Sequence, residues 1–346
     1  MIVMADMANG DGGQARATLP APASAAGRRG GLGALPPGLK PHLRLFLSVD
    51  VVGSTRLKQS HSAWRPAMLS FYRDFDYILC QQYKAACERS NRAMPTPEFW
   101  KSNGDELLYT CELRNLDQAH DAIDIWLAAL RGYRGAALQA DRLEVKSTAW
   151  IGVFPAPNSE VFFRRASAAS VPRAASDPIL MQAELREAWY GGADRGDLTR
   201  DFVGPSIDTG FRLTAWASPR RLIISVDLAF LLTSSYTWSK GEVMEPLPLH
   251  YSGREALRGV IDDEPYPAIW IPVEGEAPEG GVGRDVGDPE ILRSYCEAVI
   301  ERNYRCITPL FLSEHAAEAF DWLPPYVINR ILADFEDEVR RRAAAA

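Results

Sequence analysis

The chain has 346 residues, 47% of them apolar and 24% charged, with a formal net charge of −7. That length accommodates one large core or two modest ones, in an ordinary globular composition. An acidic chain without a basic stripe interleaved with aromatics lacks the clustered Lys and Arg of a nucleic-acid surface. No apolar run approaches the roughly 20 residues that span a bilayer. Five cysteines (Cys80, Cys87, Cys111, Cys296 and Cys306) form no CxxC pair and no Cys/His zinc pattern. Their odd number, and a start (MIVMADMANGDGG) with Asp where a secretion signal carries positive charge, make a reduced, cytoplasmic protein the expectation.

Residues 1–40 are rich in Ala, Gly and Pro and offer almost nothing to pack, so a disordered tail is expected there. The folded part opens with LRLFLSVDVV (43–52), whose alternating Leu43, Leu45, Leu47 and Val49 predict a strand that breaks at Gly53-Ser54-Thr55. Leu69, Tyr72, Phe75, Leu79 and Tyr83 recur at helical steps and predict a helix over 64–90 lying on a sheet. PEFWKS and ELLYTCEL flank Asn103-Gly104, a strong hairpin signal. A helix is expected over 117–131, with Ala119, Ile123, Trp126, Leu127 and Leu130 on one face, and a strand over 143–154. GFRLTAWA reads as a short helix, RLIISVD as a strand, and PAIWIPV (267–273) as the last strand of this domain. The order implies an α/β sandwich, a mainly antiparallel sheet with helices over one face. Boundaries are expected at 41–275 for the main domain and 276–346 for a helical C-terminal extension, with helices over 289–306 and 324–342.

Three segments carry candidate chemistry. In SVDVVGST (48–55), Asp50 ends an apolar strand before a Gly-containing turn and a helix. Free backbone N–H groups there suit polyphosphate, and the carboxylate suits a phosphate-bound divalent cation; a strand-ending Asp also simply caps turns. In WKSNGDELLY (100–109), Asp105 follows the hairpin turn, with Lys101 four residues earlier. Asn-Gly-Asp is also ordinary turn chemistry, but a hairpin beside the first strand would let Asp50 and Asp105 share metals. RDFVGPSIDTGFRL (200–213) holds Asp201, Asp208 and Arg212. It is either a polar loop entering an amphipathic helix, with Arg212 paired to a carboxylate, or a place where a guanidinium meets developing phosphate charge.

Together these segments resemble the class III adenylyl/guanylyl cyclase family. Its D-(I/V)-V-G-(F/S)-(T/S) pattern is matched by Asp50-Val51-Val52-Gly53-Ser54-Thr55, and its K-x-x-G-D by Lys101-Ser102-Asn103-Gly104-Asp105. Asp201, Asp208 and Arg212 fall at the spacing D-x₆-N-x₃-R, and Arg258-Gly259-Val260 resembles the K-G-(I/V) step with Arg for Lys. The resemblance implies that Asp50, Asp105 and the Val51 carbonyl bind two Mg²⁺ or Mn²⁺ ions, and that Val52, Gly53, Ser54 and Thr55 cradle phosphates. It implies base contacts from Lys101 and Asp201, α-phosphate contact from Arg212 and triphosphate contact from Arg258. It also implies a homodimer with two sites at the interface, since this chain carries both halves of the set. The departure is Asp208, where such cyclases have an Asn orienting the ribose; a carboxylate there accepts but cannot donate, which puts adenylyl cyclase activity in doubt.

SVDVVGSTxLK, FWKSNGDELLY and DFVGPSIDTGFRL, in a stand-alone chain with a C-terminal extension, are similar to the pyrimidine cyclases of bacterial anti-phage Pycsar systems. Those convert UTP to cyclic UMP or CTP to cyclic CMP on infection and so activate a cyclic-nucleotide-binding effector. Rival readings are an adenylate or guanylate cyclase on the same fold, a diguanylate cyclase, and a catalytically silent nucleotide-binding module. Asn103-Gly104-Asp105-Glu106-Leu107 resembles the diguanylate cyclase signature, but that family lacks a Lys four residues before the Asp and the downstream constellation that Asp201, Asp208 and Arg212 form here. The scattered histidines show no nucleophile pattern, and the tryptophans read as core, with Trp100 alone near enough to Lys101 to reach a base.

Overall fold

Alternation in LRLFLSVDVV builds β1 (His42–Val51), which sends Leu43, Leu45, Leu47, Val49 and Val51 into the main core. Arg44, Phe46, Ser48 and Asp50 therefore share its other face. The computed structural model describes residues 35–60, 62–90, 93–137, 143–164, 177–192, 195–238, 247–274, 284–285, 288–308 and 323–345. After β1 come α1 (Ser54–Ser60), α2 (Trp64–Arg89), the hairpin β2 (Glu98–Asn103) and β3 (Glu106–Leu113), α3 (Leu116–Ala137) and β4 (Val145–Phe154). Then follow β5 (Ser159–Arg164), α4 (Pro178–Tyr190), β6 (Leu198–Val203), α5 (Pro205–Leu213), β7 (Arg221–Ile224) and α6 (Val226–Trp238). The order closes with β8 (His250–Ala256), β9 (Pro265–Pro272), β10 (Arg284–Asp285), α7 (Pro289–Arg302) and α8 (Pro325–Ala345).

Eight strands form one sheet in the order β10-β8-β9-β7-β4-β1-β3-β2, and β5 and β6 form a separate ribbon. Every described pair in the large sheet is antiparallel except β4 with β7. The architecture is thus the expected α/β sandwich with a mainly antiparallel sheet. One sheet face is covered by α2, α3, α6 and α7, whose apolar residues join the main core. Because Leu292, Tyr295, Cys296, Val299 and Ile300 of α7 are part of that core, this helix is integral to the sandwich.

The opposite face carries a smaller core of Phe46, Leu108, Trp150, Phe154, Phe202 and Ile207, where β6 and α5 lie across the sheet. Gly210 lets α5 approach: a Cβ there would stand 2.1 Å from the indole atoms of fully buried Trp150. Gly210→Ala is expected to cost about 1–3 kcal/mol by overpacking, read as a lowered urea midpoint; an unchanged midpoint would contradict this contact. A charge network also pins the ribbon. Arg44 binds Glu98 at 3.0 Å, Arg200 binds Glu98 at 3.0 Å and Glu160 at 3.1 Å, and Tyr190 donates to Glu160 at 2.5 Å. Burial alone would raise Glu160, but His42, Arg200 and Tyr190 hold its carboxyl at about 2.

Several sequence expectations shift. RLIISVD ends as a strand at Ile224; the Asp227 carboxylate accepts from Leu228 N at 3.0 Å and from Ser225 Oγ, starting α6 instead. PAIWIPV is followed by a further edge strand, β10 on β8. The short helix in GFRLTAWA begins earlier, at Pro205. Most of the expected tail lies outside the described residues, but Leu35 and Leu39 are buried with Ala156, Val327 and Ile331. Ion pairs fasten α8 to α4 and its flank: Arg186 to Glu338 at 2.6 Å and Arg341 to Asp177 at 2.7 Å. All five cysteines are free thiols. Among the described residues no helix is long and apolar enough to cross a membrane.

Candidate active site

Strand register brings the two motif aspartates together. Asp50 stands opposite Glu106 in the β1–β3 ladder, so Asp105 flanks the end of β1, and Val51 N donates to its carbonyl at 3.2 Å. The β2–β3 turn is Gly104-Asp105, closed by the pair Asn103 and Glu106, with Gly104 at φ 71°. Tyr72 of α2 donates its hydroxyl to Gly104 O and props this turn from the helix side. After β1 the chain reverses at Gly53, φ 68°, directly into α1. Val52 N is bonded to Glu144 O at 2.9 Å, so it is not free for phosphate as expected. The amides of Gly53, Ser54 and Thr55 open the helix and have no preceding turn to bond to.

The corner is crowded with charge. Burial raises Asp50 to about 6, with the negative charges of Asp105 and Glu106 adding to the effect and Lys146, 3.3 Å away, opposing it. Asp105 is partly buried, which would raise it, yet bonds from Ser54 Oγ and from Lys58 Nζ at 3.2 Å hold it below its usual value. Burial also raises Glu106, against a bond from Ser48 Oγ. Three carboxyl groups thus face two lysines. An all-oxygen donor set of Asp50, Asp105 and the Val51 carbonyl fits a hard divalent cation, whose charge would offset the burial and the neighbouring carboxylates that lift Asp50. Among the described residues no group of three or more His, Cys, Asp or Glu side chains stands ready-made around a metal position.

Lys58 and Lys146 were not singled out from sequence. Lys58 had a local signal, lying one helical turn after Ser54 on the same face. Lys146 had none, because its place opposite Asp50 depends on the β1–β4 register.

Lys101 and Asp201 also meet, with Lys101 Nζ 2.9 Å from Asp201 Oδ1. Lys101 faces Leu108, which faces Ser48 of β1. The pair therefore lies two strands from the Asp50 corner, about 10 Å across the sheet. Asp208 and Arg212 lie one turn apart on the exposed side of α5, and Arg212 makes no ion pair among the described residues. Arg258, in the exposed turn between β8 and β9, is far from the others. β9 starts beside that turn, opposite Ala256, and ends opposite Arg221, at the sheet end where Lys146 faces Asp50. The length of β9 separates Arg258 from that corner, on the order of 20 Å. One chain thus gathers Asp50, Asp105 and the Gly53 turn, holds Lys101 with Asp201 nearby, and leaves Arg258 at the opposite end.

No family model matches the sequence, and none of the curated proteins matches it. Solved structures similar in fold include the catalytic core of a rhodopsin-guanylyl cyclase with converted specificity, in complex with ATPαS. It is 11% identical, with a TM-score of 0.38, over 67% of this chain and 97% of that one. Another is an adenylate/guanylate cyclase/hydrolase from Silicibacter pomeroyi, 14% identical, with a TM-score of 0.37, over 67% of this chain and 98% of that one. At these values neither likeness bears on the site, which stands on its own geometry.

Proposed function

We propose that this chain is a nucleotidyl cyclase, which closes a nucleoside triphosphate into a 3′,5′-cyclic nucleotide and releases pyrophosphate. The observation that carries this reading is the pair Asp50 and Asp105, side by side at the end of β1 and next to the Gly53 turn. In the reaction the ribose 3′-hydroxyl gives its proton to water and its oxygen attacks the α-phosphorus in line, while the bond from that phosphorus to the bridging oxygen of the β-phosphate breaks and pyrophosphate leaves. A bound Mg²⁺ or Mn²⁺ makes the hydroxyl easier to deprotonate and neutralises the triphosphate. Asp50 and Asp105, with the Val51 carbonyl, would hold such ions. Gly53, Ser54 and Thr55 would offer amides to the phosphates, Arg212 its guanidinium to the α-phosphate, and Arg258 its charge to the triphosphate. Asp208 would accept from a ribose hydroxyl, while Lys101 and Asp201 face the base.

The distance between Arg258 and Asp50 supports a two-fold homodimer, in which the Arg258 end of one copy meets the Asp50 end of the other, giving two equivalent sites. UTP or CTP as substrate rests on the resemblance of the three motif segments to pyrimidine cyclases. The cyclic product would then act on a separate effector in the cytoplasm during phage infection. A second reading, a silent nucleotide-binding module, draws support from the lysines that neutralise both aspartates.

Incubating the purified chain with each ribonucleoside triphosphate and Mn²⁺, with mass spectrometry of the products, separates these readings. Cyclic UMP or cyclic CMP is the expected result. Cyclic AMP or GMP would keep the reaction and remove the pyrimidine assignment, a cyclic dinucleotide would favour the diguanylate reading, and no product would favour the silent module.

A further inference from the structure

The β2 strand carries an irregularity that the cyclase chemistry does not require. Phe99 faces Tyr109 and Lys101 faces Leu108, so Trp100 is an inserted residue at a bulge. Simple alternation would turn either Trp100 or Lys101 toward the helix layer; the bulge lets both side chains lie on the face that carries Asp50. Packing accounts for part of this. The indole meets Phe46 and Phe202 edge-on, each at 5.2 Å between centroids, and tilts against Phe211 at 6.1 Å.

Packing does not account for the polar contacts. Trp100 Nε1 donates to Asp201 Oδ1 at 2.9 Å, and the Lys101 ammonium stands 4.2 Å from the centre of the Trp100 ring. The same Asp201 oxygen also accepts from Lys101 Nζ and from Phe202 N, both at 2.9 Å. With three donors on Oδ1, Oδ2 is the oxygen left for a ligand. The Lys101 and Asp201 side chains are still 36% and 33% exposed, so the pair opens outward above the indole.

We propose that Trp100 is a positioning residue for base recognition, fixing Lys101 and Asp201 as one donor beside one acceptor. This rests on the nucleotide reading above. The pairing edge of every nucleobase sets a donor beside an acceptor, so the Lys101–Asp201 pair alone does not separate pyrimidines from purines.

The test is calorimetric binding of the full chain to the four 3′-deoxynucleoside triphosphates, which lack the attacking hydroxyl and cannot cyclise. Trp100→Phe keeps a ring for Lys101 and the aromatic cluster but removes the N–H. It is expected to weaken nucleotide binding about tenfold by letting Asp201 turn away from the base, with a melting temperature lowered by a few degrees as the internal hydrogen bond is lost. Trp100→Leu removes both the N–H and the ring under Lys101 and is expected to weaken binding further, about a hundredfold. Wild-type affinities in Trp100→Phe, or in a folded Trp100→Leu chain, would overturn the inference alone. A wild-type chain that binds none of the four would overturn the nucleotide reading and this inference with it.

Discussion

Replacing Asp50 with Asn is expected to lower turnover at least about 10³-fold, beyond the 10–100-fold typical of changes one shell further from a metal, while the fold holds. Asn keeps the shape of the side chain but removes the charge that a divalent cation needs. The stability side has a definite sign. A carboxyl group raised to about 6 in the folded chain binds its proton more tightly there than when unfolded. Its ionised form therefore costs stability as pH rises through that value, and the cost is absent in acid. Asn never ionises, so the variant should melt no lower than wild type at pH 8. Product formation and thermal melting on the same preparation check both halves. A folded Asp50→Asn chain with wild-type turnover would remove Asp50 from the metal site.

Arg212→Ala should lower kcat about 10²- to 10³-fold, the size of losing one pre-organised group that meets charge developing in the transition state. KM should stay within about threefold if the guanidinium acts there rather than on the ground state. The side chain is exposed on the last turn of α5 and has no ion-pair partner among the described residues. Its loss should cost the fold only the few tenths of a kcal/mol, up to about 1, that a cation contributes near a helix C-terminus. Steady-state kinetics decide the role: a raised KM with unchanged kcat would make Arg212 a simple binding group.

What the sequence disclosed follows from how local each signal is. β1 and β3 were legible because one of their faces lies wholly in the main core, which writes alternation into the residues. α6 was illegible for the opposite reason: VDLAFLL is buried on every side, so no apolar stripe remains to read. β5 and β6 escaped notice because only one or two residues of each are buried, and β8 because a register shift between Tyr251 and Arg254 interrupts it. Within the candidate site, Asp50 and Asp105 announced themselves through turns a few residues long. Lys146 beside Asp50, Trp100 beside Asp201 and the remoteness of Arg258 all depend on strand order, which no short window of residues contains.

Leu35 and Leu39, near the start of the described chain, share one apolar cluster with Val327 and Ile331 of its last helix. The first turn of the described chain is thus clasped under the last described helix. Cutting away the last helix would leave Leu35 and Leu39 without their cover. The clasp also brings α8 against α4, whose Tyr190 holds Glu160, the anchor of Arg200.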